Sequence, residues 1–250
     1  MNARFHAPDA EGGGQILALS EEEGQHLTRV LRLKEGAAIR VFDGRGREFE
    51  AVVDRVGKSQ VLVSVGPQTP PTSPEPGVSI TLVQAVLKGD KMDDVIRDAV
   101  MMGVSAIQPV VAERSEVKLS TLTRGARKER WEKIAIASAK QCGRATIPEI
   151  LAPCDFARIP PALADLALPG PVMIFVEPSS TIMAVSVHDI EAAPPEQAMV
   201  IIGPEGGWTP EEVESTTMIC LPVTLGGRTL RADAVTVVAL SALFTVWREF

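Results

Sequence analysis

The stretch IIGPEGGWTPEEVE, from Ile201 to Glu214, joins a short apolar run to a glycine-rich turn and then to the start of a helix. Thr209 suits the N-cap, Pro210 the first helical position, and Glu212 the acid of a capping box. The turn matches neither G-x-x-x-x-G-K-[ST] nor G-x-G-x-x-G, and it carries Glu205 where a P-loop carries lysine. We therefore predict a loop whose backbone approaches a ligand closely, and this ligand is not a nucleoside triphosphate.

Apolar strands and helices alternate around this stretch. The strands are SITLVQAVL, VSAIQPVVA, PVMIFVE, AMVIIG and ICLPVT, and the helices are DKMDDVIRDAVMMG, the long STLTRGARKERWEKIAIASAKQC and a last one from about Ala232. This order is typical of an α/β domain with a mostly parallel sheet. Ligands of such sheets bind at the carboxyl ends of the strands. Three strand-end loops should therefore meet there, at 175–180, 203–207 and 223–235.

The first 70 residues have a different pattern. Apolar and polar residues alternate around an Asp43-Gly44 turn, which predicts a small β-barrel or meander whose inward residues are Ile39, Val41, Phe49, Ala51, Val53, Val61, Val63 and Val65. A short helix before these strands should carry Leu27, Val30, Leu31 and Leu33 on its apolar face. The segment GPQTPPTSPEPG, at 66–77, has five prolines and reads as an extended linker. We predict domains at 1–70 and 78–250, with the Pro-rich linker at 71–77.

Charge is distributed unevenly along the chain. The net charge is −7, but residues 113–144 hold nine Lys and Arg against four Asp and Glu. Such a segment can steer a polyanion, or it can be a solvated helix face with i,i+4 ion pairs such as Glu129–Lys133. The sequence favours neither interpretation.

Several classes of protein are excluded by composition. The only long apolar run near a terminus, at 234–247, is shorter than a membrane span and reads as a buried helix, and the N-terminus lacks the apolar region of a secretory signal. Three cysteines without C-x-x-C spacing fit a reducing cytoplasm. No Cys or His pattern predicts a metal site.

Several motifs together resemble the RsmE family of SPOUT-class RNA methyltransferases. They are HLTRVLRLKEG and VFDGRG in the first domain, and QAVLKGDKMDDVI, RSEVK, RWEKIA, IIGPEGG and LGGRTLR in the second. The resemblance covers nearly the whole chain. It implies a PUA-like β-barrel followed by an α/β trefoil-knot methyltransferase domain, a rare exception to the rule that chains do not thread loops.

The resemblance also implies an activity and its residues. The protein would act as a cytoplasmic homodimer, without metal or membrane, and would move a methyl group from S-adenosylmethionine to N3 of one uridine in 16S ribosomal RNA or the assembled small subunit. Cofactor contacts are implied at Val176, Glu177, Pro178, Gly203, Glu205, Gly206, Val223, Leu225, Gly226 and Leu230. We predict RNA contacts at Arg29, Arg32, Lys88, Lys91, Arg114, Lys118, Arg124 and Arg144.

Arg231 is the predicted catalytic residue, because a fixed cation can stabilise the negative charge that develops on uracil when its N3 proton leaves. No general base is identified, because no motif assigns this role to Asp233 or Glu205. Two other functions stay open: a methyltransferase of this class that acts on another RNA nucleotide, and a ribosome-associated RNA-binding protein without catalysis.

Overall fold

The computed structural model of the chain describes residues 3–57, 60–164, 170–178, 180 and 182–249. The chain divides into two compact units. One comprises Met1–Glu75 with Ile136–Ile147, and the other Pro76–Ala135 with Pro148–Phe250. The predicted domain limits at residues 70 and 78 stay predictions.

The N-terminal unit is built on a five-stranded sheet. The strands are β1 Arg4–His6, β2 Gln15–Ala18, β3 Ala38–Phe42, β4 Glu48–Val56 and β5 Val61–Thr69. Their order in the sheet is β1-β3-β4-β5-β2. Strand β1 pairs in parallel with β3, and the other pairs are antiparallel. All the residues that the alternation predicts to point inward are buried. The predicted hairpin after β3 is confirmed as well, and the Asp43 carboxylate accepts hydrogen bonds from the backbone of Arg45 and Arg47.

Two local predictions for this unit are wrong. The short helix is α1, Glu21–Gln25, followed by a π-turn at His26–Val30; Leu27 is buried in it, but Val30 and Leu31 are 68% and 40% exposed. A π-helical turn holds more residues than an α-helical turn, and this rotates the side chains of Val30 and Leu31 outward. The segment 66–77 is also not wholly a linker, because β5 continues to Thr69. Its pairing with β4 shifts register next to Pro67, the kind of irregularity at which a strand tolerates proline.

A buried ion pair stabilises this unit. The Arg4 guanidinium donates to both oxygens of Glu48 at 3.1 and 2.9 Å, and the two side chains are 5% and 0% exposed. Thr72 donates to the same carboxylate from its backbone N–H and its hydroxyl. Burial by itself would raise the pKa of Glu48, but these hydrogen bonds lower it overall.

The C-terminal unit contains an eight-stranded sheet in which every pairing is parallel, as the alternation of strands and helices predicts. The strands are β6 Ser79–Ala85, β7 Ala106–Val111, β8 Glu149–Ile150, β9 Cys154–Asp155, β10 Val172–Phe175, β11 Val185–Ser186, β12 Gln197–Ile202 and β13 Leu221–Thr224. Their order in the sheet is β11-β13-β10-β12-β6-β7-β8, and β9 pairs with β7. The trefoil knot stays a prediction.

Helices connect these strands. They are α2 Lys91–Met102, α3 Leu119–Arg124, α4 Arg127–Cys142, α5 Ile159–Ala164, α6 Pro210–Glu214 and α7 Ala232–Val246, with 3₁₀ turns at Phe156–Arg158 and Val187–Asp189. The single long helix predicted over 120–142 is wrong, because Gly125 adopts an extended conformation between α3 and α4. Glycine costs about 1 kcal/mol more than alanine inside a helix, so the helix is easily interrupted at Gly125. Trp131 and Ala135 of α4 are fully buried.

The order of the sheet places the predicted loops together. Strand β10 lies between β13 and β12, and all three run in the same direction. Their carboxyl ends therefore share one edge of the sheet, and the loops that follow them are neighbours. Among the helices of the described residues, none is long and apolar enough to cross a membrane.

Candidate active site

The three strand-end loops enclose a cavity of about 280 Å³. This volume lies near the lower end of the range of roughly 300–1,000 Å³ that small-molecule sites occupy. The residues that line it are Lys91, Phe175, Val176, Glu177, Pro178, Ile202, Gly203, Pro204, Glu205, Gly207, Trp208, Leu225, Gly226, Arg228, Thr229, Leu230, Arg231, Ala232, Asp233 and Val235. The wall thus combines apolar side chains and backbone with a few charged groups, as ligand sites usually do.

Glycines form one wall of the cavity because side chains do not fit there. Gly207 closes a turn by donating to the carbonyl of Pro204 at 3.0 Å, with a φ of +67°, and a Cβ on it would lie 2.6 Å from Glu177 Oε1. A Cβ on Gly203 would lie 3.0 Å from the indole of Trp208. The loop therefore presents backbone to the cavity for steric reasons.

The residues after the loop fix its position. Thr209 Oγ1 accepts from the backbone N–H of Glu212, and the Glu212 carboxylate accepts from that of Thr209, which completes the predicted capping box with Pro210 in the first turn. Such a cap contributes about 1 kcal/mol. The indole of Trp208 donates to the Phe175 carbonyl at 3.1 Å and packs on the Phe156 ring at 4.5 Å. The loop is therefore held against the end of β10.

Two ion pairs border the cavity. Lys91 Nζ lies 3.0 Å from Glu205 Oε1, which also accepts from the backbone N–H of Lys88. Burial by itself would raise the pKa of Glu205, but these hydrogen bonds lower it overall. The Arg231 guanidinium donates to both oxygens of Asp233 at 3.1 and 2.7 Å, and this contact lowers the pKa of Asp233. Both carboxyls are therefore ionised near neutral pH and accept protons weakly.

Most of the predicted cofactor residues line this cavity. They are Val176, Glu177, Pro178, Gly203, Glu205, Leu225, Gly226 and Leu230. Gly206 lies instead against Arg114, which a Cβ would approach to 2.9 Å. Val223 is fully buried within β13 and accepts the backbone hydrogen bond of Val176. The roles of all these residues in binding stay predictions.

The cations predicted to contact RNA have different environments. Arg29, Arg32, Lys118 and Arg124 are exposed. Lys88 is also exposed and pairs with Glu116 at 2.6 Å, whereas Lys91 lines the cavity. Arg114 donates to the carbonyl of Gly206, in the glycine loop Gly203–Gly207, and to the carbonyl of Trp208 directly after it. Arg144 is only 3% exposed and is bound to Glu75, so in this conformation its guanidinium is not available to a surface ligand.

Several lining residues were not predicted from the sequence. Gly207 carried a usable signal, because it is the second glycine of the EGG turn and directly precedes the helix start. No comparable signal indicates Trp208, which is positioned by contacts with the distant Phe156 and Phe175, or predicts that Lys91 lies beside Glu205. Over the residues that the structure describes, no group of three or more His, Cys, Asp or Glu could hold a metal ion.

Comparison with protein families and known proteins gives consistent matches over both units. A family described as "RNA methyltransferase domain" matches residues 74–244, and one described as "RNA methyltransferase PUA domain" matches residues 19–66. The chain is 30% identical to Ribosomal RNA small subunit methyltransferase E of Synechocystis over 91% of its own length and 72% of the relative. It is 29% identical to the Bacillus subtilis protein of the same name, over 90% of this chain and 88% of that protein.

Two solved structures are similar over nearly the full length. A putative methyltransferase from Legionella pneumophila, in complex with the bound cofactor SAM, has a TM-score of 0.86 and 32% identity over 98% of both chains. A ribosomal RNA small subunit methyltransferase E from Neisseria gonorrhoeae, bound to S-adenosyl methionine, has a TM-score of 0.86 and 31% identity over 99% of this chain and 98% of that one.

Proposed function

Because this chain belongs to the RNA methyltransferase family that includes the ribosomal RNA small subunit methyltransferase E proteins, we propose that it methylates N3 of a specific uridine in 16S ribosomal RNA. The methyl donor is S-adenosylmethionine, the cofactor bound in both similar structures. The predicted combination of a PUA-like domain and an α/β methyltransferase domain is confirmed.

One structural observation carries the proposal. The cavity is walled by glycines whose Cβ positions are occupied by Trp208 and Glu177, and it lies at the carboxyl ends of neighbouring parallel strands. Such a cavity suits a ligand that is bound mainly by backbone groups and apolar side chains. Its residues fit the adenosine and methionine parts of the cofactor, which would contact Val176, Glu177, Pro178, Gly203, Glu205, Leu225, Gly226 and Leu230. Gly206 and Val223, which do not line the cavity, would support the loop and the strand behind it.

The chemistry assigns a role to Arg231. S-adenosylmethionine, when bound, supplies an electrophilic methyl group, but uracil N3 is a poor nucleophile while it bears its proton. The Arg231 guanidinium, at the solvent-exposed border of the cavity, stabilises the negative charge on the uracil ring as that proton leaves to solvent water. Asp233 and Glu205 both have lowered pKa values and are therefore poor proton acceptors. The Arg231 cation thus has a larger effect than either carboxylate on the reactivity of N3.

RNA binding is proposed for the exposed cations. Arg29, Arg32, Lys88, Lys118 and Arg124 are exposed and would contact phosphates, which would make RNA affinity fall steeply with added salt. The partner is 16S rRNA or the assembled small subunit, in the cytoplasm where ribosomes are made.

We also propose a homodimer that uses α7. This helix is apolar around much of its circumference, and it leaves Val238 39% exposed while Leu240 and Leu243 are buried. An apolar helix with an uncovered face is suited to a two-fold contact with a second copy. Light scattering should give twice the 26.7 kDa mass of one chain at micromolar concentration. A particle of 26.7 kDa would reject the dimer.

Two experiments test the function. Calorimetric titration with S-adenosylmethionine should show binding that is unchanged by a chelator; absence of binding at millimolar cofactor would reject the enzymatic function. Mass-spectrometric mapping of rRNA nucleosides from a deletion strain, with a complemented strain as control, should show loss of one 3-methyluridine. Loss of a different modification would indicate another target nucleotide, and an unchanged map would indicate a non-catalytic RNA-binding protein.

A further inference from the structure

The turn that follows β7 lies against the glycine loop of the cavity, although the two are about ninety residues apart in sequence. Arg114 Nη1 donates to the carbonyls of Gly206 at 3.2 Å and Trp208 at 3.1 Å. The preceding backbone N–H, that of Glu113, donates to Glu212 Oε1 at 2.8 Å. The loop and the helix start after it are thus both fastened to this turn.

The turn is itself well defined. The backbone N–H of Ser115 donates to the Ala112 carbonyl at 3.0 Å, and Ser115 Oγ accepts from the Ala112 N–H at 3.1 Å. Ala112 directly follows β7, so these bonds fix the direction in which Arg114 leaves the sheet. The guanidinium is then bound at a defined place rather than free to sample many rotamers.

Gly206 makes the contact possible. A Cβ at this position would lie 2.9 Å from Arg114 Cβ and 3.2 Å from the Arg114 carbonyl oxygen, distances that real Cβ atoms rarely tolerate. Gly206 does not line the cavity. Its lack of a side chain therefore serves the approach of Arg114 to the outer side of the loop.

We propose that Arg114 is a positioning residue, which holds the loop Gly203–Gly207 in its cofactor-binding conformation through the carbonyls of Gly206 and Trp208. The inference rests on the proposed function, because it assumes that this cavity binds S-adenosylmethionine. A guanidinium offers several N–H donors in a fixed plane, so it can hold two carbonyls at a set separation. Lys91 and the Lys88 N–H hold Glu205 in the same loop, and Arg114 holds the residues that follow.

This role differs measurably from a phosphate contact, the role that the basic segment suggests. A phosphate contact would weaken RNA binding and reduce its salt dependence when the cation is removed. A positioning residue would weaken cofactor binding and leave RNA affinity unchanged. A purely structural residue would lower the melting temperature without a selective effect on the cofactor.

The test compares Arg114→Ala, Arg114→Lys and Arg97→Ala with the wild type. Arg97 is a matched control, because it is an exposed arginine of the same unit that pairs with Asp94 and Asp98 of its own helix region. We expect Arg114→Ala to raise the Kd and KM for S-adenosylmethionine about tenfold, which corresponds to ~1.4 kcal/mol, with kcat at saturating cofactor and RNA affinity nearly unchanged. Lysine should restore part of the affinity, and Arg97→Ala should match the wild type.

Each other result overturns the proposal. An unchanged cofactor Kd in Arg114→Ala, or weaker RNA binding with unchanged cofactor binding, excludes the positioning role. If Arg114→Ala does not fold, Arg114→Lys and Gly206→Ala decide: both should bind cofactor more weakly than the wild type while they bind RNA normally, and wild-type cofactor affinity in both would reject the role. Failure of the wild type to bind S-adenosylmethionine would reject the proposed function itself, and the wild-type titration reveals this independently.

Discussion

Replacing Arg231 with alanine should separate catalysis from cofactor binding. In the structure this side chain is 78% exposed at the border of the cavity, and it forms two hydrogen bonds to Asp233. Arg231 immediately precedes α7, so its loss removes a charge from the site without removing a buried contact. We expect the fold to be retained and the rate of methyl transfer to fall.

The magnitudes of the two effects are far apart. An ion pair as exposed as this one contributes about 0–1 kcal/mol, so its loss should change cofactor affinity by at most about fivefold. Removal of one preorganised electrostatic donor from an active site costs roughly 10²–10³ in rate, or about 2.7–4 kcal/mol. The catalytic effect should therefore exceed the binding effect by more than tenfold.

The assay is single-turnover kinetics at saturating RNA, with a cofactor titration of the same variant. Asp233→Asn is the matched control, because it breaks the ion pair but keeps the Arg231 cation. If Arg231 only clamps its loop through Asp233, both variants should lose cofactor affinity together with rate, and the catalytic role is refuted. An unchanged single-turnover rate with weaker RNA binding would instead make Arg231 a phosphate contact, and full activity would remove it from the site.

Two further predictions concern backbone space and buried charge. Gly207→Ala should weaken S-adenosylmethionine binding at least tenfold in a titration, because the new Cβ would overlap Glu177 and the φ of this residue is +67°. Gly227→Ala is the control: a Cβ there would meet open space, so this variant should bind like the wild type. Equal cofactor affinities of the two variants would contradict the steric argument. Glu48→Gln should reduce the free energy of unfolding by about 3–5 kcal/mol at pH 7, the cost of breaking a buried pair, here with Arg4. Because the pKa of Glu48 is lowered in the folded state, the stabilisation by its carboxylate is present above the unfolded pKa of about 4.3 and is lost as the pH falls through the folded value. Denaturant titrations should therefore show that the difference in unfolding free energy between the wild type and Glu48→Gln shrinks in acid. A difference that does not change with pH would contradict this prediction.

Most local elements and the position of the site follow from the amino-acid sequence alone. Alternating apolar residues identified the buried face of the N-terminal strands, because a side-chain period of two leaves one consistent choice of inner face. The Thr209-Pro210-Glu212 pattern located the start of α6, since a capping box is formed by residues only three positions apart. The alternation of strands and helices then placed the glycine loop at a carboxyl edge of a parallel sheet.

Which distant groups meet depends on the three-dimensional packing of the chain. Lys91 pairs with Glu205, and Arg114 donates to the carbonyl of Gly206, across separations of 114 and 92 residues. Arg144, from the same basic segment as Arg114, is instead buried against Glu75. In the sequence all three cations look alike. Periodicity reports which face of an element is buried, whereas a hydrogen bond requires two particular atoms to come within about 3 Å. That condition depends on how the elements pack together, so cations that look alike in the sequence border a cavity, contact the backbone of a glycine loop or pair with a carboxylate away from the cavity.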